Sequence, residues 1–552
     1  MPSHSASRAP IRTTRRRRTV AVLAAAVVTT LTLAGCSSID SDQQGADDSA
    51  DNRAAKQGGT LRVALAEEPD ILDATLARTL VGRTVFNAIC EKLYDVDSNL
   101  AIVPQLAAAL PEFSSDGTTV TIKIRTGVKF ADGTPLDAAA VKASLDRHMT
   151  LTGSARRTEL AAVESVAVAD PTTVTLKLKS AYAPLTAVLA DRAGMILSPT
   201  AVQAAGDKFG TNPVCVGPFK FSMRVAQDRI EVVKDPNYYD AAKVHLDKVV
   251  YRIIADATTR FNNLRSGDVE VLDRVAATDV DALKSDPNLR LITSESLGYQ
   301  GITINLGNVA GVGKPPGALP AQYAGPMATD ARVRRAFELS LDREAINTVV
   351  FRGQFSPTCS PISPASPLSS DAAQACPKRD LAAAKQLLAD AGVTTPFKIS
   401  MVIGSAPENR RLGEAIQAQV KEAGFDLELQ PTEFSASLDQ TDAGRYQMFQ
   451  IGWSGRVDPD GNIANFVRSQ GSQNISGYAN PTVDGLIDQA RTTTDQGKRR
   501  DLYGQVITKL HEDAPLIYLY RVKNLTGVTS KVVGVQMYGD GIVRFGTAGF
   551  AA

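Results

Sequence analysis

Residues 380–429 read DLAAAKQLLADAGVTTPFKISMVIGSAPENRRLGEAIQAQVKEAGFDLEL, and one pattern occurs in them twice. Asp380 is a good N-cap, because its carboxylate can accept from the free N–H groups of a first helical turn. Leu381, Ala384, Leu387, Leu388 and Ala391 then share one helical face, and Gly392 supplies the stop. A strand follows at 397–403. A second helix is expected over 409–423, with Leu412, Ala415, Ile416, Val420 and Ala423 on one face and Gly424 at its end. Residues 425–429 (FDLEL) alternate as a half-buried strand. Helix, glycine and strand repeated within about 50 residues make an α/β layer.

The segments on either side fit the same class. Residues 60–66 (TLRVALA) and 119–125 (TVTIKIR) carry the two-residue period of strands. The Asp132-Gly133-Thr134-Pro135 turn precedes a helical period through Leu136, Val141, Leu145 and Met149. Further strands are expected at 173–179, 229–234, 249–254 and 301–305. Helices near 483–491 and 499–510 lead into a last apolar strand at 515–520. Internal repeats and heptads are absent from the sequence.

A chain of 552 residues exceeds what one hydrophobic core usually holds. With 43% apolar and 22% charged residues it is neither a disordered chain nor a multi-span membrane protein. The net charge of +1 hides an asymmetry. Six arginines (Arg8, Arg12, Arg15, Arg16, Arg17, Arg18) and no acid lie in residues 1–35, leaving 54 basic against 59 acidic residues elsewhere. Such a surface repels a phosphate backbone more than it attracts one, so nucleic acid is not expected as a partner.

The basic cluster, the apolar stretch 20–33 and the ending Leu33-Ala34-Gly35-Cys36 form a signal peptide over 1–35. That stretch is short of the roughly 20 residues a membrane span needs. Its end resembles the bacterial lipobox, which implies a lipid anchor on Cys36; the alternative is a plain secretory peptide with an incidental cysteine. Both the general and the twin-arginine export routes remain open. Residues 36–58 hold a single large apolar side chain, Ile39, and are expected to be a flexible tether.

Four cysteines remain beyond Cys36. In an exported chain they suggest two disulfides. Cys359 and Cys376 flank a Pro/Ser-rich loop and are expected to pair locally, leaving Cys90 and Cys215 for a long-range bridge, although three pairings are formally open. The four histidines (His4, His148, His245, His511) are scattered and no C-x-x-C occurs, so no metal site is expected.

Several stretches together resemble the family 5 extracellular solute-binding proteins, which serve oligopeptide, dipeptide, glutathione and nickel importers. The longest is 113–145, with Ser115-Asp116-Gly117, Gly127-Val128-Lys129-Phe130, Asp132-Gly133-Thr134-Pro135 and the helix after it. Others are 212–219 (NPVCVGPF), Asp330 through Asp342-Arg343, Ile451-Gly452-Trp453 and Asp513-Ala514-Pro515-Leu516-Ile517. The resemblance implies an α/β, two-lobed fold of the type II periplasmic-binding-protein kind, with two inter-lobe crossings and an extra subdomain in lobe I. Lobe I would span 59–299, lobe II 300–512, and 513–552 would return to lobe I. It further implies a monomer without cofactor, held by its anchor on the outer face of the bacterial cell membrane. There it would capture a peptide or similar solute by lobe closure and pass it to an ABC permease driven by cytoplasmic ATPases. A metal-chelate or haem-binding member and a peptide-signal sensor are the alternatives.

The cleft loop is expected at 450–460, after a strand. It contains Trp453, the only tryptophan, followed by Ser454, Gly455, Arg456 and Asp458. In peptide-binding members the aspartate that grips the ligand's ammonium group lies three residues after this tryptophan. Here that position is Arg456, which would repel an ammonium group and suits a carboxylate or phosphate. Asp458 could substitute, or Arg456 could simply pair with Asp458 or Asp460. Tyr299, Asn305, Gly404, Ser405, Gly217 and Phe219 are the further ligand contacts that the resemblance implies. Enzymatic readings are weak. Gly452-Trp453-Ser454-Gly455-Arg456 misses the last glycine of a nucleophile elbow. Gly311-Val312-Gly313-Lys314-Pro315 has proline in place of the hydroxyl residue of a phosphate loop. Asp458, Asp460 and Asn462 begin like a calcium loop but lack its glycine and closing glutamate.

Overall fold

The computed structural model of the chain describes residues 53–469 and 471–552. The signal segment 1–35, the lipidation position Cys36 and most of the tether lie outside the described residues. The repeated unit forms as its sequence dictates. Asp380 caps the helix Leu381–Asp390 by accepting from the Ala383 N–H at 2.9 Å. The helix Pro407–Ala423 ends at Gly424, whose φ of +107° is open to glycine at little cost. That helix is the crossover between two parallel strands, Phe397–Gly404 and Phe425–Thr432, paired along eight residues. Leu412, Ile416 and Val420 pack on Ile399, Met401 and Leu427 in one buried cluster.

These strands belong to a six-stranded sheet, ordered Ser356–Pro357, Leu516–Arg521, Tyr299–Ile304, Met448–Trp453, Phe397–Gly404, Phe425–Thr432. Met448–Trp453 runs parallel to Phe397–Gly404, and Tyr299–Ile304 runs antiparallel to it. Consequently the carboxyl ends of two parallel strands and the start of Tyr299–Ile304 meet at one end of the sheet. In open α/β sheets that is where ligands bind.

A separate seven-stranded sheet is ordered Leu289–Glu295, Lys523–Thr529, Val271–Leu272, Thr60–Leu65, Lys248–Ile253, Arg229–Lys234, Phe219–Val225. The chain passes from this sheet to the six-stranded one through residues 296–298 and returns between Arg521 and Lys523. Leu516–Arg521 is still paired in the six-stranded sheet, so the change of sheet on the return falls at Val522.

A third, antiparallel sheet of four strands (Glu112–Phe113, Thr119–Lys123, Thr173–Leu178, Val163–Asp170) carries its own core with the helix Ala138–Thr150. Val120, Ile122, Val141, Leu145, Val174 and Leu176 fill it. His148, buried on that helix, lies 2.8 Å from Thr75 Oγ1 and 3.0 Å from the Met195 carbonyl. Burial lowers its pKa to about 4, so the ring is neutral.

Cys90 is bonded to Cys215 and Cys359 to Cys376. The first bridge ties the end of the helix Leu80–Ile89 to the segment leading into Phe219–Val225, where the Glu91 N–H also donates to the Val216 carbonyl.

Candidate solute site

Trp453 ends its strand opposite Tyr299, as an antiparallel pair. Tyr299 meets Tyr518 edge-on, centroids 4.8 Å apart, while Trp453 meets Phe466 at 4.9 Å. The aromatic group therefore rests on three strands and the helix Asp460–Val467. Tyr299 is buried and Trp453 half-buried.

Past Trp453 the loop is pressed against the first crossing. Gly455 has φ +82°, and a Cβ there would lie 2.3 Å from the Leu297 carbonyl carbon. A Cβ on Gly298 would lie 2.1 Å from the Trp453 carbonyl oxygen. No larger residue fits at either position, so loop and crossing interlock.

Asn462 fixes the loop's shape. Its Oδ1 accepts from Trp453 Nε1 at 3.1 Å and from the Arg456 N–H at 2.6 Å, and its Nδ2 donates to the Arg456 carbonyl at 2.9 Å. The Arg456 guanidinium then lies 4.4 Å from the Trp453 ring centroid, in cation–π contact. Its Nη1 donates to the Gly455 carbonyl at 2.7 Å and to Ser454 Oγ at 3.4 Å.

From there Arg456 reaches a residue far away in sequence: its Nε is 3.2 Å from Asp191 Oδ2. The partner of Arg456 is thus Asp191, whereas Asp458 and Asp460 have arginines of their own. Asp458 accepts from Arg499 Nη2 at 2.8 Å. Asp460 accepts from Arg491 Nε at 2.7 Å and Nη2 at 3.1 Å, and from the Tyr182 hydroxyl at 3.3 Å. The Ala183 N–H donates to the Arg491 carbonyl at 2.7 Å. These contacts account for the Asp458, Asp460, Asn462 spacing as a framework of ion pairs and loop hydrogen bonds.

Burial pushes the Asp191 carboxyl up, but Arg83, Arg456 and Arg192 outweigh it and hold the group well below the usual carboxylate range. Burial also lowers Arg456 to about 10, an effect that Asp191 partly opposes, so both partners stay charged at neutral pH. Asp460 is raised by burial against the pull of Arg491.

The remaining expected contacts divide by position. Gly404 and Ser405 stand at the same sheet end as Trp453. Asn305 follows the far end of Tyr299–Ile304, roughly 20 Å away at 3.3 Å per residue. Its Nδ2 donates to the carbonyls of Asn308, Gly444 and Tyr446, and its Oδ1 accepts from the N–H groups of Gly307 and Asn308, which leaves it a structural knot. Phe219 is fully buried in the core of the seven-stranded sheet. Gly217 lies so close to the Ile89 backbone that a Cβ would sit 2.6 Å from it. The structure brings neither Phe219 nor Gly217 to the loop. Sequence reading missed Asn462 as an organiser, and also Asp191, Tyr182 and Arg83. The last three are distant in sequence and carry no local signal. For Asn462 the signal was available: six residues after Arg456, at the start of a helix.

With this geometry established, the comparisons are specific. Residues 101–474 match the family model described as bacterial extracellular solute-binding proteins, family 5 Middle. The glutathione-binding protein GsiB of Pectobacterium atrosepticum is 26% identical over 490 residues, covering 86% of this chain and 91% of its own. AgaA of A. tumefaciens R10, solved with agropinic acid, is 28% identical with a TM-score of 0.75, covering 86% of this chain and 94% of its own. DppA of Helicobacter pylori, solved with the peptide STSA, shares the fold at 24% identity and a TM-score of 0.77, covering 90% and 99%. The two sheets joined by two crossings are thus those of a periplasmic-binding-protein fold, and the chain acts by binding and not by catalysis. It belongs to the bacterial extracellular solute-binding proteins of family 5, the extracytoplasmic solute-binding components of ABC importers.

Proposed function

We propose that this chain captures a peptide or peptide-like solute between two lobes and delivers it to an ABC permease. Lobe I is built on the seven-stranded sheet (59–298 with the return 522–552) and lobe II on the six-stranded sheet (299–521), so the return expected from 513 begins at Val522. The observation that carries the reading is where the bodies touch. Arg456 with Asp191, Asp460 with Tyr182 and Arg491 with Ala183 all lie beside the loop that follows Trp453. That loop in turn abuts the first crossing. A solute held there touches both lobes only in the closed form, and its differential affinity drives closure.

The names of the relatives, a glutathione-binding protein and a protein solved with agropinic acid, support a small peptide-like solute. With Arg456 where an ammonium-gripping carboxylate would stand, a free peptide N-terminus is not held at this position. A lipid on Cys36 and the tether 36–58 would keep the lobes near the permease. Native mass spectrometry of protein purified from its own host is the test. A stoichiometric small solute, released on unfolding and rebound on refolding, is the expected result. A chain that carries nothing, and binds nothing from a host extract, would sink the reading.

A further inference from the structure

We propose that Arg83, Arg156, Arg192 and Arg456 form an anion subsite that receives a carboxylate or phosphate group of the captured solute. The proposal rests on the capture reading above and specifies the chemistry of its ligand.

Charge balance is the first observation. Asp191 lies between Arg83, with Nε at 3.0 Å, Arg456, with Nε at 3.2 Å, and Arg192, with Nε at 4.0 Å. Arg156 stands beside Arg192 and pairs with Glu159 at 2.9 Å, and both Arg156 and Arg192 donate to the Ala77 carbonyl. Four guanidinium groups thus share two carboxylates, an excess of two positive charges. Crowding and burial show in Arg192, whose pKa falls to about 9, first through burial and then through the nearby Arg156.

The second observation concerns hydrogen bonds. Arg83, Arg156 and Arg192 are 5%, 2% and 2% exposed. Arg83 Nη1, Arg156 Nε and Arg192 Nε are buried donors, and Asp191 Oδ2 a buried acceptor, with no hydrogen-bond partner among the described residues. An unmet buried donor costs about 1–3 kcal/mol, more on a charged group. Three unmet donors against one unmet acceptor leave the cluster short of acceptor oxygens. The planar guanidinium fork matches carboxylate and phosphate alike. Asp191 shows that a carboxylate already fits there.

The third observation is the route. Arg456 keeps 17% of its side chain exposed and lies against half-buried Trp453. The cluster therefore meets solvent at the solute site itself, with three arginines supplied by one lobe and Arg456 by the other. An anion bridging them links the lobes by charge-assisted hydrogen bonds.

The test uses the whole protein, unfolded and refolded to strip any solute, and calorimetry at constant ionic strength. The probes are succinate, inorganic phosphate and uncharged succinamide. Binding of succinate or phosphate at least tenfold tighter than succinamide is expected. The tighter of the two anions names the head group. Arg83→Gln, Arg192→Gln and Arg456→Gln should each weaken that binding at least tenfold. Arg468→Gln, which removes an exposed charge paired with Asp488, should leave it unchanged. Arg456→Gln provides a soluble variant if the more buried substitutions misfold, as judged by circular dichroism. Equal binding of succinamide and both anions, binding of none, or anion binding indifferent to Arg456→Gln would overturn the proposal. Re-binding of the co-purified solute, followed by scattering in the same samples, keeps the capture reading separate. Closure by an uncharged solute would preserve capture and remove the anion subsite. Anion binding with unchanged dimensions would do the reverse.

Discussion

Arg521 Nη1 donates to the Gly298 carbonyl at 2.5 Å, a bond between the last residue before the second crossing and the last residue of the first. The same side chain reaches the Leu297 carbonyl at 3.3 Å and, through Nη2, the Ser360 carbonyl at 2.6 Å. It is 1% exposed, and burial lowers its pKa to about 10, leaving it cationic. One guanidinium therefore staples the two strands by which the chain passes between sheets.

Replacing that staple has a defined consequence. Arg521→Met keeps much of the volume but leaves buried carbonyls on both crossings without a donor, at a cost of about 3 kcal/mol. Arg521→Lys should recover only part, because a point ammonium cannot span both crossings and Ser360. Urea denaturation followed by circular dichroism reads both variants, and a midpoint unmoved in Arg521→Met would remove Arg521 from this role.

Trp453, the only tryptophan, makes the site self-reporting. The residue is half-buried, so a solute that covers it should dry it further. Titration with the co-purified solute is expected to shift its emission to the blue. An unchanged spectrum at saturating solute would place Trp453 outside the cleft.

The Tyr182 hydroxyl touches Asp460 only where the bodies meet, and Asp460 keeps both Arg491 contacts without it. Tyr182→Phe should therefore weaken solute binding about fivefold, equivalent to roughly 1 kcal/mol of closed-state hydrogen bonding. The thermal midpoint of the solute-free protein should stay where it was. Calorimetry and a thermal melt separate the two effects, and a melt that falls while affinity holds would contradict the assignment.

Glu91 supplies a pH dependence. It is buried, and desolvation raises its pKa from 4.5 to about 7 although the Tyr238 and Tyr239 hydroxyls donate to it at 2.7 and 2.9 Å. The folded state thus holds this proton more tightly than the unfolded one. The resulting stabilisation is fully present below pH 4.5 and is lost as pH rises through 7, amounting to at most about 3 kcal/mol. Glu91→Gln should flatten the stability curve over that interval and exceed the wild type at pH 8. Melts between pH 4.5 and 8 check it, and parallel curves would contradict it.

The two disulfides should differ in weight. The Cys90–Cys215 bridge closes 125 residues and the Cys359–Cys376 bridge 17. In the chain-entropy model these are worth about 5 and about 3 kcal/mol. Paired serine replacements compared in urea give the order, and a costlier loss at Cys359 and Cys376 would reverse it.

Local signals carried much of this structure. Asp380, Gly392 and Gly424 punctuated the helices of the six-stranded sheet as their chemistry requires, and apolar periodicity located the faces of both helices. Trp453 and Arg456 stood out because one is unique in the chain and the other reverses a charge. What escaped was non-local. Asp191 and Arg456 are 265 positions apart in number and meet only because two sheets are joined at a pair of crossings. Phe219 and Gly217 were expected at the cleft from a motif, yet a phenylalanine opening a strand and a glycine against another backbone are equally what a core needs. Asn305 likewise has every polar group satisfied by backbone.

Hinged capture is tested most directly by small-angle X-ray scattering. The refolded, solute-free protein and the same protein reloaded with its co-purified solute would be measured side by side. A smaller radius of gyration in the loaded sample is the predicted result, and identical radii at proven saturation would contradict it.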